Sequence, residues 1–468
     1  MASLAVRITN VDSETTATEL SDFFQSRGIA IASGRSRVAT AVGANGMKTA
    51  VISFQDNTAM QKALKLSASE RELRDKQMDL DYRFDGFTTL SEGRDLDIVA
   101  LHGLNGHAFA TWEDIDQTDR FMWLRDCLPE HFPHARVLTY GYNANVLSDV
   151  STGRLRSYAE TFLENLKYER SSEAHRDRPL ILMAHSLGGL VIKQALIVAN
   201  TRADRRYHEI LESICGIIFF GTPHRGGNGV RSAAFVTNLL KAVNVDTRSD
   251  LLKSLESHPL ALFDLTDDFR QIVEALGITI HTFFETNKTK IKVGPLTTKR
   301  ILVVDEQSAI LGVARERKAS VNADHSHICK FRGPSDGNYM SVHRVITELV
   351  NAATPVVTTR DATTQPETPP DLKYVNLTDP DILSFDEKQY PVLMWGENTY
   401  WALSHLDNRF GMAILAYNSQ NPSRPVGRWE KLGGRYIYAI RLDGRKVEFI
   451  GQAKHSVTFT LKELRIAP

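Results

Sequence analysis

Cysteine is scarce in this chain. Cys127, Cys215 and Cys329 are the only three, far apart and without CxxC spacing. That excludes a disulfide framework or a closely spaced zinc site as the organising feature, and it fits a reducing compartment. Net charge is missing too, because 56 basic residues balance 56 acidic ones. Nucleic acid is therefore not an expected partner through overall charge, and only a local patch could supply one. Long apolar runs are also absent. No stretch reaches the ~18 residues of a membrane-spanning helix, and the longest runs, such as Cys215 to Phe220, have the length of buried strands. The start, Met1 to Arg7, lacks the basic region and apolar core of a secretory signal. These absences predict a soluble, cytoplasmic protein, with peripheral membrane contact left open.

What is present is ample apolar residue: 42% of 468 positions, against 24% charged. That suits a globular chain of about two to four domains. Residues 1–85 alternate strand-like segments (Leu4 to Ile8, Thr49 to Phe54, Met78 to Phe84) with helix-like ones (Thr16 to Gln25, Asn57 to Leu66). Two β-α-β units of this size predict a ferredoxin-like α+β domain. Residues 86–352 carry short apolar strands (Asp97 to Leu101, Arg136 to Tyr140, Leu180 to Ala184, Gly216 to Phe220, Ile278 to Phe284) between amphipathic helices. That pattern predicts α/β architecture, a doubly wound and mostly parallel sheet. Residues 353–372 are rich in Thr and Pro and read as a linker. Residues 373–468 hold short strands, the turn signals Gly433-Gly434 and Asp443-Gly444, and three of the five tryptophans; they read as an all-β module.

The chemistry concentrates in the second segment. Ser186 directly follows the apolar run Leu180 to Met183 and precedes a helical stretch, Leu190 to Val198. Strand, tight turn with serine, helix is the context of a nucleophile elbow. Small residues let such a turn close; here they are Ala184, where glycine is usual, and Gly188 and Gly189. The turn His102-Gly103-Leu104-Asn105-Gly106 follows an earlier strand and can supply an oxyanion donor. The two donors assigned by position are the backbone N–H groups of Leu104 and Leu187. A general base should follow the serine near the end of the domain, which selects His325 in Asp324-His325-Ser326-His327, with His327 as the neighbouring alternative. For the acid, topology places Glu285 first, at the end of the strand after Phe220, and Asp305 second.

With those residues in hand, the segment resembles the lipase/esterase-like family with a serine active site, serine esterases common in fungi as modules of larger signalling proteins. The matching pieces include Asp97 to Leu104, Trp123 to Asp126, Leu138 to Tyr142, Ala184 to Gly189, Phe220 to Gly227, Ser308-Ala309, Ala323 to His325 and Cys329 to Phe331. One departure is Gln307, where relatives often carry an acid; it favours Glu285 as the acid. The resemblance implies carboxylic-ester hydrolysis through an acyl-enzyme, with no cofactor and no metal, and a lipid or lysolipid ester as substrate. The rival reading is a non-catalytic signalling or recognition adaptor that keeps the fold.

Three further expectations are weaker in chemistry. Ala233 to Leu240, inside residues 228–270, reads as a core helix or as an acyl-binding lid. The N-terminal domain resembles an RNA-recognition fold in outline, but only Phe54 stands where stacking aromatics are needed, so protein contact or scaffolding is expected before RNA. Gly43 to Thr49 fails phosphate-loop spacing and reads as a hairpin turn. The aromatics of the C-terminal module, such as Trp395, Trp401 and Trp429, read as core first and as a ligand or sugar surface second.

Overall fold

The computed structural model describes residues 3–32, 41–42, 47–103, 105–115, 120–144, 152–224, 261–292 and 297–353, and strand backbone within 382–460. Leu104, the Gly43 turn and the stretch Ala233 to Leu240 lie outside these residues. The chain divides into two compact units, Met1–Val357 and Thr358–Pro468.

At the start of the first unit, β1 (Ala5–Val11), β2 (Ala41–Val42), β3 (Lys48–Ser53) and β4 (Asp79–Asp81) form an antiparallel sheet in the order β2-β3-β1-β4. Two helices go with it, α1 (Ala17–Gln25) and α2 (Asn57–Leu64). Thr16 starts α1 with a capping box: its side chain accepts the Glu19 N–H while Glu19 reaches back to the Thr16 N–H. Asp56 caps α2 through the Ala59 N–H. Strand period then sorts the sheet. Val6, Ile8, Ala50 and Ile52 pack with Leu20, Phe24, Phe54 and Met60, whereas Ala5 and Val51 bury in the cluster of the next segment. Arg7 crosses the same boundary, donating to Phe87 O (3.2 Å) and Thr88 Oγ1 (3.1 Å), and within its own sheet it holds Asp81 Oδ2 (2.6 Å). Arg125 donates back to Ser53 Oγ (2.8 Å). The sheet face on which an RNA-recognition fold would stack bases is thus covered by the chain itself, and Phe54 is buried beneath.

The second segment carries a seven-stranded sheet: β5 (Gly86–Ser91), β6 (Leu96–Leu101), β7 (Ala135–Gly141), β8 (Leu180–His185), β9 (Ile214–Phe220), β10 (Thr279–Glu285) and β11 (Glu316–Val321). Their order is β11-β10-β9-β8-β6-β7-β5, and every pair is parallel except β5 with β7. This is an α/β fold. Alternating side chains load both faces. Val99, Leu182, Ile217 and Phe219 pack under α3 (Thr152–Glu169), α4 (Gly188–Thr201), α5 (Arg205–Ser213) and α6 (Ala261–Ala275). Ile98, Met183, Ile218 and Phe220 pack with Trp112, Trp123 and α7 (Gly337–Ala353). Burial on both faces is why the central strands read as unbroken apolar runs.

One buried charge sits among these strands. Asp97, on β6, is fully buried and accepts from Arg136 Nε (2.9 Å), Arg136 Nη2 (2.8 Å) and Arg170 Nη1. Arg178 stands 3.6 Å away. Asp97 lies near the start of its strand, so it is remote from the strand C-termini. No helix among the described residues is long and apolar enough to cross a membrane.

In the second unit, four antiparallel strands (Ile382–Phe385, Lys388–Met394, Thr399–Ala402, Tyr417–Asn418) and three more (Ile437–Asp443, Lys446–Gly451, Ser456–Thr460) form two sheets.

Candidate active site

The C-terminal ends of parallel strands are where open α/β sheets bind ligands. Here Ser186 leaves β8 and enters α4 with φ +52, a left-handed conformation costly for a residue with a side chain. Its backbone is held from three sides. Its N–H donates to Phe220 O (2.9 Å), and its carbonyl accepts from Gly189 N–H (3.1 Å) and Thr222 Oγ1 (3.0 Å). Thr222 was quoted in the sequence only as part of a motif; the contact gives it a role in holding the turn.

Two other sequence candidates converge on this serine. His325 Nε2 lies 2.9 Å from Ser186 Oγ, and His325 Nδ1 lies 2.7 Å from Glu285 Oε2. All three residues are buried. Glu285 is the last residue of β10, and its second oxygen accepts the N–H groups of Val303 (2.6 Å) and Val304 (2.9 Å). A carboxylate only accepts, so Nδ1 carries the proton and donates to Glu285. Nε2 is then the acceptor that faces the Ser186 hydroxyl. The backbone of His325 is fixed as well: its N–H donates to Thr289 Oγ1 (3.0 Å), and His185 Nε2–H donates to its carbonyl (2.9 Å). Burial pushes His185 down to about 3, so it stays neutral and keeps that donor role.

The competing candidates are occupied elsewhere. Asp305 is exposed and caps the short helix Glu306–Ala309 through the Ser308 N–H (2.8 Å). Gln307 is exposed on that helix. His327 is exposed and holds Asp324 (2.7 Å), away from the serine.

Leu187 is the N-cap residue of α4, so its N–H belongs to the group of helix-start donors that lack intrahelical acceptors. Leu104 lies outside the described residues, but its neighbours are defined. His102 Nδ1–H donates to Gly103 O (2.9 Å), its Nε2 accepts the Tyr142 N–H (3.3 Å), and Tyr142 Oη donates to His102 O (2.8 Å). Burial draws His102 down to about 4, which keeps it neutral and able to play both parts. Two glycines let this turn approach the elbow. A Cβ on Gly103 would stand 2.8 Å from Ser186 Cβ, and one on Gly188 would stand 2.4 Å from His102 O. The second clash is with backbone, which cannot rotate away. Gly188→Ala should therefore push the turn and the elbow apart. We expect Ser186 reactivity toward an activated ester to fall about a hundredfold, on the scale of an ångström-sized misplacement. Far-ultraviolet circular dichroism should stay unchanged.

Val303, Val304, Thr289, His185 and Tyr142 had no role assigned from the sequence: the two valines act through backbone N–H groups, and the other three orient their neighbours by side-chain hydrogen bonds. No group of acidic, His or Cys residues suited to a metal occurs among the described residues.

Fold and site together describe an α/β protein with a serine, an imidazole and a carboxylate in one hydrogen-bonded line. No family model matches the chain. Among curated proteins it is similar to Protein SERAC1 of Danio rerio, 31% identical over 260 residues, covering 50% of this chain and 36% of the relative. Protein SERAC1 of Homo sapiens is 28% identical over 253 residues, with the same shares. The chain spans about 36% of the length of these relatives. They are vertebrate proteins, whereas the sequence resemblance was to serine esterases common in fungi. Among solved structures it is similar to a hydrolase from Oleispira antarctica (11% identity, 56% of this chain, 95% of that chain, TM-score 0.32). A monoacylglycerol lipase of Paleococcus ferrophilus gives 11% identity, 57% and 98% coverage and a TM-score of 0.33.

Proposed function

We propose that the chain is a serine hydrolase acting on a carboxylic ester. The observation that carries this reading is His325, which spans Ser186 and Glu285 at 2.9 and 2.7 Å. In the reaction, Ser186 Oγ attacks the ester carbonyl while its proton passes to His325 Nε2. Glu285 stabilises the imidazolium so formed. The Leu187 N–H, with a second donor from the turn at Leu104, receives the oxyanion. The tetrahedral intermediate collapses, and the alcohol leaves with the proton from His325. Water then attacks the acyl-serine by the same steps and releases the acid. Only side chains and backbone of this chain are needed.

The substrate class we infer is a lipid or lysolipid acyl ester, on the strength of the sequence resemblance. We read the N-terminal module as ferredoxin-like, a reading that its strand order and two helices support, with protein contact or scaffolding as its role. The segment 373–468 is assigned as an all-β accessory module, open to a ligand.

A fluorophosphonate probe tests the proposal. Wild type should label at one site, and Ser186→Ala should lose the label together with more than about 10⁴-fold of ester turnover. Unlabelled wild type, or labelling that survives Ser186→Ala, would leave the non-catalytic adaptor as the better reading.

A further inference from the structure

A hairpin beside the site carries charge that the catalytic reading does not use. Its strands, Thr289–Lys292 and Thr298–Ile301, pair antiparallel with Lys290 opposite Arg300. Paired residues share a face, and like charges directly opposite destabilise a sheet. The inner side explains the hairpin's position. Ile291 buries with Val303, Val304 and Ala309, and Leu187 and Phe284 pack against them. Lys288, Lys290, Lys299 and Arg300 are all exposed, and among the described residues no ion pair or hydrogen bond engages any of their side chains; Lys290 and Arg300 share the outer face, whereas Lys299 pairs with Ile291 and Lys288 lines a pocket with Asp114, Asp324 and Asp336. From Thr286 to Val304 the sequence contains no acidic residue at all. Leu302, next in the chain, is one of the few large apolar side chains left exposed, at 38%.

Edge strands commonly carry a lysine to block pairing with other chains. One lysine serves that purpose. The facing pair Lys290 and Arg300, in a stretch with no acid of its own, leaves a local positive field that an anionic surface would relieve. A cationic strand face followed by an exposed leucine fits a bilayer, whose headgroups supply the charge and whose interface accepts the leucine.

We propose that this hairpin, which packs against Leu187 beside Ser186, docks the chain on an anionic lipid surface. The proposal does not depend on the esterase reading, since docking needs no turnover. The full chain should co-sediment with vesicles of phosphatidylcholine containing 30% phosphatidylserine and not with phosphatidylcholine alone. Raising salt from 0.1 to 0.5 M should release it, because exposed charges are screened over shorter distances. Lys290→Glu should weaken partitioning about thirtyfold, a change of two charge units at the surface. The same substitution places opposite charges across the ladder, so its thermal midpoint should equal or exceed that of wild type. A merely structural lysine would lower the midpoint instead. Equal binding to neutral and anionic vesicles, or Lys290→Glu binding like wild type, overturns the proposal. Binding to polyglutamate with none to vesicles also overturns it, in favour of an acidic protein partner.

Discussion

Glu285→Gln should lower ester turnover about 10⁴-fold while leaving the fold intact, and the reason lies in which way the amide must point. Glu285 has three N–H donors: Val303 and Val304 on one oxygen, His325 Nδ1 on the other. A glutamine offers one acceptor oxygen and one NH₂. The two backbone donors cannot move or change character, so they take the oxygen. The NH₂ is then directed at His325 Nδ1, which must accept, and the proton shifts to Nε2. In that tautomer Nε2 faces Ser186 as a donor and cannot receive the hydroxyl proton. Loss of the correct tautomer has an effect of about 10⁴ in serine hydrolases of this design. The measurement is kcat on a soluble activated ester, with the thermal midpoint alongside. Asp305→Asn is the control. Its carboxylate caps an exposed four-residue helix, so activity should stay within about twofold, at a cost of about 1 kcal/mol in stability at most. Activity retained in Glu285→Gln and lost in Asp305→Asn would reverse the assignment of the acid.

The contrast between those two carboxylates shows what the sequence could reveal. Both follow an apolar stretch, and both precede the candidate base. Chain order favours Glu285, and the geometry brings Glu285 and not Asp305 to the imidazole. What fixes Glu285, however, is a pair of backbone N–H groups, and backbone groups have no letter in a sequence. Strands buried on both faces were legible: β6, β7, β8, β9 and β10 were each expected to within about two residues. Two strands of the seven-stranded sheet were not expected. Gly86–Ser91 is only partly buried, its buried positions alternating with half-buried ones, and Glu316–Val321 opens on charged residues at the sheet edge. Both lie at the outside of the sheet, where apolar runs are not required. Net charge was similarly blind: a balance of zero over the whole chain concealed a run from Thr286 to Val304 with no acid in it. The N-terminal segment read as a domain of its own, yet its outer sheet face buries Ala5 and Val51 against the next segment, within one compact unit. A strand residue facing a neighbouring segment looks the same in sequence as one facing solvent with a small side chain.

Asp97 should prove the costliest single position for stability. Its carboxylate is fully buried and shared by Arg136, Arg170 and Arg178, drawn from three separate segments. Burial alone would raise its pKa, but the Arg136 hydrogen bond and the three guanidinium charges outweigh burial and hold it below the ordinary carboxylate range. A depressed folded-state pKa adds stability above the unfolded value, and that stability is lost as pH falls through it. Asp97→Asn removes the only opposite charge in direct contact with Arg170 among the described residues and leaves that guanidinium buried at 1% exposure. Breaking such a buried pair from one side costs about 3–5 kcal/mol, a large share of the ~5–15 kcal/mol that holds a domain folded. Denaturant midpoints at neutral pH should fall accordingly. As pH falls below the ordinary carboxylate range the difference between variant and wild type should shrink, because the unfolded wild-type chain then takes up a proton that the native carboxylate resists. A variant no less stable than wild type at pH 7 would mean that the three arginines find other acceptors, such as Glu169 beside Arg136 (2.9 Å), at little cost. Because Asp97 lies near the start of β6, far along the sheet from Ser186, fluorophosphonate labelling of the folded fraction should be unaffected. The same experiment therefore separates the residues that hold the sheet together from those that act at its opposite end.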